Sequence, residues 1–163
     1  MSFKWENVGK SGERGMLISS HIVSVDAKGR VSIPARFREY LSATYGDQII
    51  LLDMDGCIFA YPQEEWRRRF SEKFNGLQTH RDEVRRYIRS MYARATQCEM
   101  DRQGRILLPA RLREGVGIEK EAVIVGLENK FEIWGREKWE SQVNENQGIL
   151  ESVPESGLIN LEF

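Results

Sequence analysis

The sequence predicts an α+β, β-rich fold made of two pseudo-symmetric copies of one module, with peripheral helices. Three observations carry this expectation. A fifteen-residue segment recurs 75 positions later, short β-prone runs flank Gly-containing turns in both copies, and helical patterns lie at the edge of each copy.

The repeated segment is Val25-Asp-Ala-Lys-Gly-Arg-Val-Ser-Ile-Pro-Ala-Arg-Phe-Arg-Glu39, answered by Met100-Asp-Arg-Gln-Gly-Arg-Ile-Leu-Leu-Pro-Ala-Arg-Leu-Arg-Glu114. Eight of fifteen positions are identical, among them Asp26/Asp101, Gly29/Gly104, Arg30/Arg105, Arg38/Arg113 and Glu39/Glu114, and apolar residues match at 25/100, 31/106, 33/108 and 37/112. Chance does not produce such agreement. Farther on, residues 49–52 answer 122–125, and Cys57-Ile-Phe-Ala-Tyr61 with Trp66 answers Lys130-Phe-Glu-Ile-Trp134 with Trp139, now at an offset of 73. The duplication therefore spans most of the chain.

Within a copy, residues 22–25 and 30–33 are β-prone runs separated by a polar tetrad, the signature of a hairpin. Pro34 or Pro109 then suits the first turn of a short helix carrying Phe37, Tyr40 and Leu41, or Leu112, which in the second copy stops at Gly115 and Gly117. A second strand pair follows, turning at 53–56 or 128–130. Each copy closes with a helix around Trp66 or Trp139. In the first copy this helix covers 63–74, has Glu64 and Glu65 in its first turn, and repeats Trp66, Phe70 and Phe74 at spacing four.

One further helix has no counterpart in the second copy. It is expected to open on Thr79-x-x-Asp82, a capping-box variant, with Val84, Tyr87, Ile88 and Met91 on one stripe and Arg81, Arg85, Arg86 and Arg89 on another face. That basic face reads either as solvated surface or as a phosphate- or subunit-facing surface. The expected organisation is an extension over 1–15, a first module over 16–76, a connecting helix over 77–94, a second module over 95–147 and a flexible tail over 148–163.

Composition narrows the function classes. With 40% hydrophobic and 30% charged residues, and apolar runs no longer than 49–52 or 122–125, no stretch approaches the roughly 20 residues of a spanning helix. The first fifteen residues lack the apolar stretch of a secretory signal, so a cytoplasmic protein is expected. Cys57 and Cys98 read as buried thiols, and His21 and His80 show no ligand spacing, so no metal and no cofactor is expected. A net charge of −1 runs against a nucleic-acid binder, but charge is segregated: residues 61–94 hold nine Arg/Lys against five Asp/Glu, and 95–163 hold eight against thirteen.

The candidate chemistry lies in the two tetrads. Asp26 or Asp101 precedes the turn, where a short carboxylate accepts backbone N–H groups or pairs with a cation, and Gly29 or Gly104 supplies a positive φ. Period-two alternation puts Arg30 and Ser32 on one face while Val31 and Ile33 point to the core, so the Arg30 guanidinium is expected to face solvent or a ligand. Lys28 extends that tip, and Arg102, Gln103 and Arg105 occupy the matching one. Arg and Lys contact phosphates or guanine O6 and N7, and Gln reads adenine. One such turn is a weak signal, whereas several on one oligomer release enough counterions for tight binding.

The segments Asp26-Ala-Lys-Gly-Arg-Val-Ser-Ile-Pro-Ala-Arg-Phe-Arg38, Leu52-Asp-Met-Asp-Gly-Cys-Ile-Phe-Ala-Tyr-Pro-Gln-Glu-Glu-Trp66, Cys98-Glu-Met-Asp-Arg-Gln-Gly-Arg-Ile-Leu-Leu-Pro109 and Asn129-Lys-Phe-Glu-Ile-Trp134 resemble, in order and spacing, the successive motifs of the MraZ family over about residues 16 to 147. The resemblance implies two swapped-hairpin modules of the AbrB/SpoVT type, assembled into a ring-like homo-oligomer. It further implies a nucleoid-associated regulator, usually a repressor, that binds direct repeats in double-stranded promoter DNA of the division and cell-wall gene cluster. The DNA-facing candidates it implies are Lys28, Arg30, Arg102 and Arg105, with Gln103 beside them. Family chains begin near Met16, which leaves 1–15 as an extension, and the tail resembles nothing specific.

Two other classes compete with this reading. A hydrolase finds no Gly-x-Ser-x-Gly, His-Glu-x-x-His or phosphate-loop motif, and Asp26 and Asp101 each lie beside an arginine that keeps the carboxylate ionised, so no catalytic residues and no small-molecule substrate are expected. A protein-binding module of antitoxin type fits the acidic second half, but 148–163 is short for a segment that wraps a partner.

Overall fold

A computed structural model of the chain describes residues 15–77 and 80–145; the expectations for the extension and for the tail 148–163 lie outside them. The first copy supplies β1 (Ser20–Ser24), β2 (Arg30–Ser32), α1 (Ala35–Thr44), β3 (Gln48–Met54), β4 (Cys57–Pro62) and α2 (Gln63–Trp66), which runs through a π-turn (Arg67–Ser71) into α3 (Glu72–Asn75). After α4 (Asp82–Arg94), the second copy repeats the order with β5 (Thr96–Glu99), β6 (Arg105–Leu107), α5 (Ala110–Gly115), β7 (Glu121–Gly126), β8 (Phe131–Gly135) and α6 (Arg136–Glu145).

The two copies exchange strands. A six-stranded antiparallel sheet has the order β1-β7-β8-β4-β3-β5, and β2 pairs with β6 in a separate ribbon. Swapping the copies turns that order into its own reverse, so the pairing follows a pseudo-twofold axis between β4 and β8, where Ile58 faces Ile133. β1 and β2 accordingly do not form the hairpin that their spacing predicts. They share only the bridge Val25 to Val31, and their ladders run instead to β7 and to β6 of the other copy. The physical reason is that runs of three to five residues fix which face is apolar and leave the pairing partner to tertiary packing.

The sheet is buried on both sides, which is why 49–52 and 122–125 read as unbroken apolar runs rather than alternating ones. Ile49, Leu51, Ile58, Ile124, Phe131 and Ile133 of its inner face meet Val31 and Ile106 from the ribbon and Phe37, Leu41 and Leu112 from α1 and α5. Its outer face carries a second cluster of Ile50, Leu52, Phe59, Tyr61 and Trp134, covered by Trp66 and Met91, with Phe70, Phe74 and Trp139 packed around it.

Several local details correct or refine the expectations. Pro34 and Pro109 stand just before their helices as extended cap residues rather than inside the first turn. The helix expected over 63–74 is present and continuous, with a π-turn at Arg67–Ser71 inside it, and its ring contacts run Tyr61, Trp66, Phe70, Phe74 with centroids 4.6 to 6.0 Å apart. α4 starts at Asp82 with Arg81 as its cap, Thr79 lying outside the described residues, and of the expected stripe Met91 is buried while Tyr87 is 56% exposed. The four arginines of its expected basic face are exposed, as either reading of that face requires, and three of them pair with acids of the first turn, Arg85 and Arg86 with Asp82 and Arg81 with Glu83. Cys57 is buried and Cys98 half-buried, and burial pushes both thiols up, Cys98 to about 12.

Candidate nucleic-acid interface

The pairing of β2 with β6 brings the two Asp-x-x-Gly-Arg turns into one construction, although they lie 75 positions apart in sequence. Each turn closes on itself in the same way. In the first, Asp26 Oδ1 accepts the backbone N–H groups of Lys28 and Arg30, both at 2.9 Å, and Gly29 N–H donates to the Asp26 carbonyl. In the second, Asp101 Oδ1 accepts from Gln103 and Arg105 at 2.9 Å, and Gly104 N–H donates to the Asp101 carbonyl. Gly29 at φ 83° and Gly104 at φ 75° occupy the left-handed region, which glycine enters without steric cost.

The same carboxylates also hold the arginines. Arg30 Nε donates to Asp26 Oδ2 at 2.7 Å and Arg105 Nε to Asp101 Oδ2 at 3.0 Å, each arginine side chain retaining 27% exposure. The expected solvent-facing guanidinium is therefore one edge bound and part exposed, a geometry that fixes its direction. The Arg30 N–H does most to lower the Asp26 carboxyl below its ordinary value, with its side chain and the Lys28 N–H adding and desolvation opposing. Asp101 is lowered by the same set from Arg105 and Gln103. Lys28, Arg102 and Gln103 stand exposed at the tips.

Each turn is also gripped by the other copy. The Gly104 carbonyl accepts from Ile33 N–H at 2.8 Å and the Gly29 carbonyl from Leu108 N–H at 2.9 Å. Arg38 of α1 lies across Gly104 and donates from Nη1 to the Gln103 carbonyl at 2.9 Å, while Arg113 of α5 lies across Gly29 and donates from Nε to the Leu108 carbonyl at 2.9 Å. These two arginines position the tips, a role that sequence reasoning misses; the available signal is their identity in the repeat, at 38 and 113.

A buried polar hub ties the outer helices to the same frame. Glu65, 4% exposed, accepts from Tyr45 Oη at 2.8 Å, from Arg68 at 2.7 Å, and from Arg69 and Asn129 at 3.2 Å. It thus joins α1's end, α2 and the β7–β8 turn across both copies. No group of His, Cys, Asp and Glu among the described residues has the geometry to hold a metal, and no described helix is long and apolar enough to cross a membrane.

A strand-exchanged tandem of one β-rich module, presenting a pair of carboxylate-closed cationic turns from a shared ribbon, defines the swapped-hairpin class. The chain belongs within it to the MraZ family, described as antitoxin-like, whose model matches residues 16–86 and 91–156, one match per copy. It is 41% identical over 133 residues to the transcriptional regulator MraZ of Lactiplantibacillus plantarum, covering 82% of this chain and 92% of the relative. The protein of that name from Pelotomaculum thermopropionicum is 40% identical over 140 residues, 86% and 94% of the two chains. That from Limosilactobacillus reuteri is 38% identical over 148 residues, 91% of this chain and all of the relative.

Proposed function

We propose that this chain is a sequence-specific DNA-binding transcriptional regulator. In this reading it represses the division and cell-wall gene cluster by binding promoter direct repeats through its two Asp-x-x-Gly-Arg turns as a ring-like homo-oligomer. The observation that carries the reading is the reciprocal pairing of β2 with β6, which sets Lys28, Arg30, Arg102 and Arg105 on one ribbon with each arginine of the two ion pairs aimed by its own aspartate. A two-stranded ribbon fits the major groove, and cationic tips repeated around an oligomer overcome a net charge of −1 by contacting phosphates at several points. The relatives' names, all transcriptional regulators, support the same function. Such a protein works in the cytoplasm, on the nucleoid, and has no catalytic step.

A mobility-shift titration on the DNA upstream of the chain's own coding sequence, with sizing of the protein alone and bound, tests this. A salt-sensitive shift by an oligomer, abolished in an Arg30→Ala, Arg105→Ala double variant that still assembles, is the expected result. An oligomer that shifts no duplex at low salt would instead point to the protein-binding reading that the family's antitoxin-like description favours.

A further inference from the structure

The two turns share one hydrogen-bonded construction, yet on its outer face the ribbon that follows them differs between the copies at one strand position. Arg30 lies directly opposite Leu107, and Ser32 directly opposite Arg105. Val31 and Ile106 between them are fully buried, so alternation sends Arg30, Ser32, Arg105 and Leu107 to the same outer face. Ser32 and Leu107 are pseudo-twofold equivalents, 75 positions apart. One is a hydroxyl and the other an apolar side chain left 50% exposed between two arginines.

An exposed leucine flanked by Arg30 and Arg105, with Lys28 and Arg102 at the adjoining tips, is poorly matched to an apolar protein partner, which would have to bury those charges. It matches the major groove, whose walls are anionic and whose floor carries one apolar group, the C5-methyl of thymine.

We propose that Leu107 is a specificity-determining residue that packs against a thymine methyl in the major groove, while Ser32 meets the other half of the site through its hydroxyl. The inference rests on the DNA-binding reading above and adds to it a base class and a residue-level source for the polarity that direct repeats already require. The two halves of the ribbon read different base pairs, so each chain occupies a non-palindromic site and has a single orientation on it.

The test compares two duplexes of the DNA upstream of the chain's own coding sequence, one with thymine and one with deoxyuridine throughout, which removes every C5-methyl and preserves pairing. Full-length protein is expected to bind the thymine duplex more tightly, by about fourfold for each methyl that Leu107 covers. Leu107→Ala should bind both duplexes alike, and Ser32→Ala should keep the full preference. Because Leu107 is half exposed, the variant is expected to melt like the parent; Leu107→Met, which restores an apolar side chain of similar volume, should recover the preference. An unchanged preference in Leu107→Ala overturns the inference and leaves DNA binding standing. So does a loss of assembly on sizing with the preference intact, since it makes Leu107 a contact between copies. Parent protein that retains neither duplex at low salt overturns the DNA-binding reading itself, and this inference with it.

Discussion

Arg38 of the first copy lies so closely over Gly104 of the second that a Cβ built on that glycine would overlap the arginine's Cδ. The mirror contact, Arg113 over Gly29, is looser: a Cβ there would meet the guanidinium at 2.8 Å. The tips are thus clamped from across the pseudo-twofold axis, and one clamp is tighter than the other. Both variants must accept a left-handed φ; Gly104→Ala must also displace the stem of Arg38, whereas Gly29→Ala displaces the guanidinium end of Arg113. The expected loss is about 2–3 kcal/mol for Gly104→Ala and about 1 kcal/mol less for Gly29→Ala. Denaturant melts of both variants check the order, and a reversal would mean that the clamps do not carry strain in this way.

Glu65 sits among more donors than its burial alone would justify. Burial pushes its carboxyl up, but the hydrogen bonds from Tyr45, Arg68 and Arg69 outweigh that push and hold it below its ordinary value. A lowered folded-state value contributes stability above the ordinary carboxylate range, and that contribution is lost as pH falls through the folded value. Glu65→Gln removes the charge and one pair of acceptor sites, with an expected cost of about 1–3 kcal/mol at neutral pH. Stability of the variant should also fall less steeply on acidification than that of the parent. Parallel acid branches in the two unfolding curves would show that Glu65 does not supply this pH dependence.

Much of this fold is legible in the chain because its signals are local. The offset of 75, the prolines before α1 and α5, the Asp-Gly turn at 55–56 and the apolar runs of β3 and β7 each specify their own backbone. The strand exchange is not legible, since Val25 and Val31 would satisfy a simple hairpin as well as they satisfy the bridge they make. Glu65 reads from sequence as a first-turn acid beside a helix dipole, and the long-range approach of Tyr45 from the end of α1 and of Asn129 from the other copy turns it into a hub. For the candidate interface, alternation places Arg30 on the outward face and the sequence offers turn closure or a cation pair for Asp26 as alternatives; that one carboxylate does both at once is not legible, because both uses need the same residue at the same spacing.

That double use makes Asp101→Asn informative. The amide keeps an acceptor for the N–H groups of Gln103 and Arg105 and removes the charge opposite the Arg105 guanidinium. Arg105 then loses its fixed direction while the tip becomes more cationic. The expected outcome is stronger binding to unrelated duplex, weaker discrimination in favour of the chain's own upstream DNA, and a steeper dependence on salt. Competition titrations with unrelated duplex measure both quantities, and equal discrimination in parent and variant would remove Asp101 from the positioning of Arg105.

Lys28 and Arg102 differ from Arg30 and Arg105 because they stand exposed at the tips, outside the two turn ion pairs. Side chains of that kind contact phosphates and carry little sequence information, whereas Arg30, held by Asp26, is suited to a bidentate base contact. The two classes separate in a salt titration. Lys28→Ala and Arg102→Ala should each make the negative slope of log K against log[salt] shallower by about 0.9 for every phosphate left without its cation, and weaken all duplexes alike. Arg30→Ala should cost about 1–3 kcal/mol on the chain's own upstream DNA and much less on unrelated sequence. If Arg30→Ala instead weakened both duplexes equally and shifted only the slope, Arg30 would be a phosphate ligand, and base reading would have to come from other positions on the ribbon.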